Sequence, residues 1–125
     1  KEWTFHFNFN REFTCACDSF LTRTPAAYCL QALSETTLWR ISYNDLQKLY
    51  LQTKAGNFLG RFITEHMLLA HSKHNINLIK YNATERYLHL LKEEPKIVQQ
   101  VPLKYIASYI GITPQALSRI RRQIS

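Results

Sequence analysis

Two periods of hydrophobicity divide the chain. Over Trp3-Thr-Phe-His-Phe-Asn-Phe9 large apolar and polar residues alternate, the period of a strand with one buried face. A turn at Asn10-Arg11 follows, then a short apolar stretch over residues 13–20 and a loop at Thr22-Arg-Thr-Pro25. Residues 28–33 and 37–41 read as further strands. The pattern therefore predicts several strands of a sheet or roll within residues 1–41, too few to close a β core alone. It opens without a lead-in, which predicts either part of a longer protein or a domain that another chain completes.

Beyond residue 41 the period lengthens to that of a helix. Ser42 is a good N-cap with Asp45 three residues on, so a helix is expected over residues 43–51. After Lys54-Ala-Gly56 a second helical pattern runs to about residue 81, a span of roughly 36 Å. Its apolar positions, among them Phe58, Leu59, Phe62, Leu68, Leu69, Ile76 and Ile79, occupy more than one face. Burying them all predicts a second protomer packed along the helix, with Leu59, Phe62, His66, Leu69 and Ile76 in the seam. That register also admits Lys73, so the heptad is imperfect. The plainer alternative is a long core helix that leaves some apolar surface exposed. Asn82-Ala-Thr-Glu85 resembles a capping box and starts a third helix over residues 85–92, with Leu88 and Leu91 facing the core beside Tyr87. Pro95 ends it, and residues 96–101 are expected to be a connector, a short strand or a turn.

The last stretch is the most informative. Leu103, Ile106, Ala107 and Ile110 fall on one helical face, and Leu117 and Ile120 on another. Between them Gly111 supplies the left-handed residue that stops a helix, and Ile112 plugs the turn. Thr113 is an N-cap followed by Pro114 at the first helical position. This is the plan of a helix-turn-helix, whose second helix enters the major groove of DNA. An ordinary helical hairpin would share the apolar pattern, but the polar face separates the two. From Pro114 onward that face offers Gln115, Ser118, Arg119, Arg121, Arg122 and Gln123, with Lys104 on the preceding helix and no acid. A solvated helix usually mixes signs, whereas one laid on phosphates should not.

Charge changes the picture further. The net +7 is uneven: residues 1–54 hold six Lys/Arg against five Asp/Glu, and residues 55–125 hold ten against four. A cationic C-terminal part beside a nearly neutral N-terminal part predicts that only the former meets a polyanion. Hydrophobic content of 46% predicts a packed core rather than disorder. No apolar run approaches the roughly 20 residues that span a bilayer, and Lys1 leads directly into the strand pattern with no signal-peptide features. Three cysteines, Cys15, Cys17 and Cys29, lack zinc-ligand spacing and fit reduced thiols in a cytoplasmic protein.

An enzyme is not expected. His71 and His74 are three apart on a helix, but no third ligand follows at suitable spacing, and His66-Met-Leu-Leu-Ala-His71 is not a zincin motif. The chain has only three glycines and no phosphate-cradling loop. No metal or cofactor is expected. Two other readings stay open: a protein–protein interaction module that has kept the architecture, and a redox sensor built on the cysteines.

The order of parts, and above all Asn82-Ala-Thr-Glu-Arg-Tyr-Leu-His-Leu-Leu91 and the stretch from Val101-Pro-Leu-Lys-Tyr105 through Thr113-Pro-Gln-Ala-Leu-Ser-Arg-Ile-Arg-Arg122, resembles the CRP/FNR family of transcription regulators, of the kind found in Bacteroidetes. The resemblance implies an α+β fold: a partial cyclic-nucleotide-binding-like β-roll with a short helix over residues 1–54, a long dimerisation helix over 55–81, and a (winged) helix-turn-helix over 82–125. It implies double-stranded DNA and a second copy as partners, with RNA polymerase a partner by analogy and a small-molecule effector of unknown identity. The family's cyclic-AMP pocket pairs Gly-Glu with Arg-Ser or Arg-Thr, and Cys15-Ala16 and Ala26-Ala27 stand at the matching places. No side chain is left there to neutralise a phosphate, so cyclic AMP is not expected to bind tightly. Nor do three cysteines make the four-cysteine cluster of oxygen-sensing members. Several N-terminal strands that the family requires are missing, and no room is left for a wing after residue 125. In the recognition helix only Arg119 matches the Arg-Glu-x-x-x-Arg row of members that read a G·C-containing half-site. Arg119 is expected on guanine, Gln115 on adenine or another base edge, Ala116 or Ser118 on a thymine methyl. Lys104, Tyr105 and Thr113 are expected on phosphates. Arg121 and Arg122 are weaker candidates, one of the pair being open to a solvated reading, and Arg122 is the one carried forward.

Overall fold

A computed structural model describes residues 3–124. Its element order is α1 (Cys17–Thr22), α2 (Tyr43–Gln52), α3 (Lys54–Lys80), α4 (Ala83–Glu93), α5 (Pro95–Gln100), α6 (Leu103–Tyr109) and α7 (Pro114–Ile124). The chain divides into two compact units, one of residues 10–69 and one that joins residues 1–9 to residues 70–125.

The α+β expectation is overturned. Helix accounts for 64% of the structure and strand for none, so the described residues contain no β-roll, partial or otherwise. The cyclic-nucleotide-binding-like assignment and its residue correspondences at Cys15-Ala16 and Ala26-Ala27 fall with it. The reason lies in pairing. Alternation fixes which face a strand would bury, but a strand exists only where a neighbour completes its ladder. Here residues 3–9, 28–33 and 37–41 find no ladder partner, and the end of the apolar stretch over 13–20 coils into α1. The turn at Asn10-Arg11 is present, with Arg11 left-handed at φ 68°.

In the unit of residues 10–69, Ser42 caps α2 as expected, its hydroxyl accepting the Asp45 N–H at 3.1 Å. Asp45 also receives the Ser42 hydroxyl and Lys48, and these two contacts hold its carboxyl below the usual value. Gly60 leaves room for the Tyr50 ring, which a Cβ there would strike. Large apolar side chains such as Leu38, Trp39, Leu51 and Phe58 remain exposed.

The hydrophobic core belongs to the other unit. Tyr87, Leu90, Ile97, Ile106, Ala107, Tyr109, Ile110, Leu117 and Ile120 form it, with Phe7, Phe9 and Ile112 packed against them. Helix α4 begins with a complete capping box: Asn82 Oδ1 accepts the Glu85 N–H at 3.0 Å, and Glu85 Oε2 accepts the Asn82 N–H at 2.9 Å. Its buried stripe is Tyr87 and Leu90, whereas Leu88 and Leu91 are exposed, one step away from the expected register. Residues 96–101 are no strand. Pro95 starts α5, pre-set for a first helical position, and Ile97 drops into the core at 1% exposure. Residues 3–9 lie along this unit as a strap without regular secondary structure: the Thr4 N–H donates to Ser108 Oγ at 2.7 Å, and the Phe7 ring meets Tyr109 at 5.0 Å.

Candidate nucleic-acid interface

Helices α6 and α7 pack on one another through Ala107 and Leu117, both fully buried. Ala107 has no bulk beyond Cβ, so the two backbones approach closely. The turn between them closes as a Schellman motif. The Ile112 N–H donates to the Ala107 carbonyl at 2.9 Å and the Gly111 N–H to the Ser108 carbonyl at 3.1 Å. Gly111 takes φ +75°, the conformation that the motif requires and that a Cβ resists. Ile112 then folds back onto the core, as a residue in that position of the motif commonly does. Thr113 restarts the helix: its hydroxyl accepts the Ala116 N–H at 3.2 Å and its carbonyl the Leu117 N–H at 3.0 Å. Two short helices joined by a tight turn at Gly111 are thus present.

With Leu117 and Ile120 turned inward, the polar residues of α7 are turned out. Gln115, Arg119, Arg121 and Arg122 are exposed, while Ala116 and Ser118 are half-buried at the flank of the helix. Gln115, Ser118, Arg119 and Arg122 stand at i, i+3, i+4 and i+7, which places them along one ridge of α7. No acid occurs between residues 101 and 124, and neither Arg119 nor Arg122 is engaged in an ion pair among the described residues. Lys104 and Thr113 are exposed and Tyr105 half-buried, with the Lys104 ammonium 4.5 Å from the Tyr105 ring centre. The eight positions expected to meet DNA therefore fall on α6, the turn and α7, and none lies in the core.

A residue that the sequence reading passed over anchors this arrangement. Arg86 of α4 donates from Nε to the Ile110 carbonyl at 2.8 Å, and from Nη1 to the Tyr81 carbonyl at 2.6 Å and the Leu78 carbonyl at 3.3 Å. Its signal in the sequence was an arginine one residue after the capping glutamate, which spacing alone marks only as a solvated cation.

The seam positions on α3, Leu59, Phe62, His66, Leu69 and Ile76, are all exposed. Lys73, the charged residue of that register, reaches Glu93 of α4 at 3.4 Å. The histidines that suggested a metal are engaged with rings: His71 stacks on Phe5 at 5.2 Å and His74 on Tyr109 at 4.1 Å. No group of three His, Cys, Asp or Glu among the described residues could hold a metal. The three cysteines are free thiols, and burial, followed by the neighbouring Cys17, pushes Cys15 up to about 11. A thiol so protonated at neutral pH is a poor nucleophile, which weighs against a redox sensor at that position. No helix among the described residues is long and apolar enough to cross a membrane. Comparison of the chain with family models, curated proteins and solved structures finds no match.

Proposed function

We propose that the chain is a sequence-specific regulator that binds double-stranded DNA through a helix-turn-helix of the CRP/FNR type. The supporting observation is the acid-free ridge of Gln115, Ser118, Arg119 and Arg122, held outside the core by a closed Schellman turn. Helix α7 enters the major groove. Arg119 takes guanine O6 and N7, Gln115 takes an adenine or another base edge, and the thymine methyl goes to Ala116 or Ser118. Lys104, Tyr105, Thr113 and Arg122 hold the backbone phosphates and fix the register. Two copies pair through the exposed α3 positions Leu59, Phe62, His66, Leu69 and Ile76 and so address two half-sites. The unpaired cysteines fit a cytoplasmic protein, and the resemblance adds RNA polymerase as a further partner.

Selection of binding sites from random duplexes tests this reading, followed by titration of the selected site at several salt concentrations. Affinity should fall steeply with salt, as expected when several phosphates are neutralised at each half-site. Arg119→Ala should cost about 1–3 kcal/mol at one base pair and relax preference there. Equal weakening on every sequence, or a flat salt response, overturns the proposal. A flat response is also what a protein–protein adaptor would give.

A further inference from the structure

We infer that residues 3–9 form an acid-released strap: proton uptake where His6, His71 and His74 meet detaches the segment from α3 and α6 and bares Tyr109. The inference does not depend on the DNA-binding reading. Every group it uses lies in the unit that joins residues 1–9 to residues 70–125.

Residues 3–9 have no regular secondary structure, and side chains tie them to the helices. The Thr4 N–H reaches Ser108 Oγ at 2.7 Å, and Phe7 and Phe9 pack on the core. Three imidazoles are interleaved with these contacts. His6 of the strap stands 5.3 Å from His71 of α3, and His71 stacks on Phe5 at 5.2 Å. His74, three residues further along α3, stacks on Tyr109 at 4.1 Å. The Tyr109 ring thus receives a strap phenylalanine as well as an α3 histidine, and is left 7% exposed. Neutral imidazoles pack as rings. Charged ones demand hydration, and like charges this close repel.

The other charged groups at this junction do not cancel that repulsion. The Lys73 ammonium is directed to Glu93 at 3.4 Å, and the Arg86 guanidinium to backbone carbonyls. His89 lies against the Tyr81 ring at 5.2 Å. Glu94 lines the same crevice, and burial followed by its charge pushes the Tyr109 hydroxyl up, so the phenol stays neutral at acid pH. At His74 the balance goes against charge: burial first, then His6 and His71, hold the imidazole below its ordinary 6.5. Detaching the strap takes away His6 and one wall of the crevice, so the released state binds the proton more readily than the docked one. The docked state is therefore favoured above pH 6.5, and release sets in as the pH falls below that value.

Hydrogen exchange of the Thr4 amide in the full chain, corrected for the intrinsic pH dependence of exchange, reports release, because that amide donates to Ser108. One linked proton changes the ratio of released to docked chain by at most about tenfold per pH unit. Protection of Thr4 should fall about threefold or more between about pH 7 and pH 5.5. The Ile120 amide of α7 should stay about tenfold or more better protected at both, since the strap opens without the unit unfolding. His74→Phe keeps a ring against Tyr109 but takes no proton, and should flatten the Thr4 response. His89→Phe removes the imidazole beside Tyr81 and should leave the response intact. If His74→Phe does not fold, His74→Gln, also uncharged at every pH, decides in its place. Linkage runs both ways. Phe7→Ala loosens the strap, so the His74 titration followed by NMR should move up toward 6.5. Equal protection of Thr4 and Ile120 would mean that the strap leaves only on unfolding, and overturns the inference. So does a full Thr4 response in the His74 variant, or a His74 titration that Phe7→Ala leaves in place.

Discussion

Replacing Gly111 by alanine isolates the conformational demand of the turn. A Cβ at this position would meet Leu78 Cδ2 at 3.7 Å and Arg86 Nη2 at 4.0 Å, both ordinary contacts, so no overlap has to be relieved. Both Schellman hydrogen bonds use backbone groups and survive the change. What remains is the left-handed conformation at φ +75°, which costs a residue with a Cβ about 1–2 kcal/mol. Alanine also restricts the unfolded chain, which returns about 0.4–1 kcal/mol. The net loss should be about 1 kcal/mol, or a fall in Tm of about 4–8 °C for a cooperative unit of this size. Gly111→Asn should lose less, since asparagine tolerates this region better. Chemical denaturation followed by circular dichroism measures both variants. An unchanged midpoint would show that the turn does not hold Gly111 left-handed. A loss above about 3 kcal/mol would show that the added methyl group clashes, contrary to the open space described.

Other perturbations reach other links of the chain. Leu117→Ala empties a fully buried site between α6 and α7 and should cost about 2–5 kcal/mol in denaturation, where a loss below 1 would mean that the helices are not packed as described. Asn82→Ala opens the capping box and should cost about 1 kcal/mol, with no change if α4 starts elsewhere. Burial, followed by the nearby His6 and His71, holds the His74 imidazole below its ordinary 6.5. The unfolded chain then binds the proton more readily than the folded one. Stability from this group is therefore complete above pH 6.5 and declines as the pH falls below it. His74→Phe keeps a ring against Tyr109 and should flatten the dependence of the midpoint on pH over that acid range; an unaltered slope would place the proton uptake on another group.

Legibility differed sharply between the two parts of the chain, and for a physical reason. From Asn82 onward the signals were local: a capping box, a glycine that had to be left-handed, a threonine and proline that had to start a helix. Each is satisfied by residues within five positions of it, so the sequence carries the whole instruction. The start of α5 escaped because Pro95 was read as a stop to α4, when a proline in that place also pre-sets a first helical turn. The α4 stripe was read one residue late because Leu88 and Leu91 look more apolar than Tyr87, yet the tyrosine ring is the side chain at 3% exposure. Arg86 was illegible for another reason: its three acceptors are backbone carbonyls on two other elements, and nothing in residue type announces a carbonyl.

The N-terminal alternation misled because strand formation is not a local event. A helix closes its own hydrogen bonds, so Ser42 and Asp45 suffice to specify where α2 begins. A period-two segment such as Trp3-Thr-Phe-His-Phe-Asn-Phe9 states only which side chains would share a face, and leaves every backbone group in need of a partner elsewhere. In this structure the strap answers that need against side chains and helices. Phe7 and Phe9 reach the core, Phe5 stacks on His71, and the Thr4 N–H finds the Ser108 hydroxyl instead of a neighbouring strand. The alternating phenylalanines do bury part of their surface, as a period of two requires, but the surface that receives them is helical. Hydrophobic patterning therefore predicted that these residues pack and failed to predict against what, since the second partner in a packing contact is never written in the first.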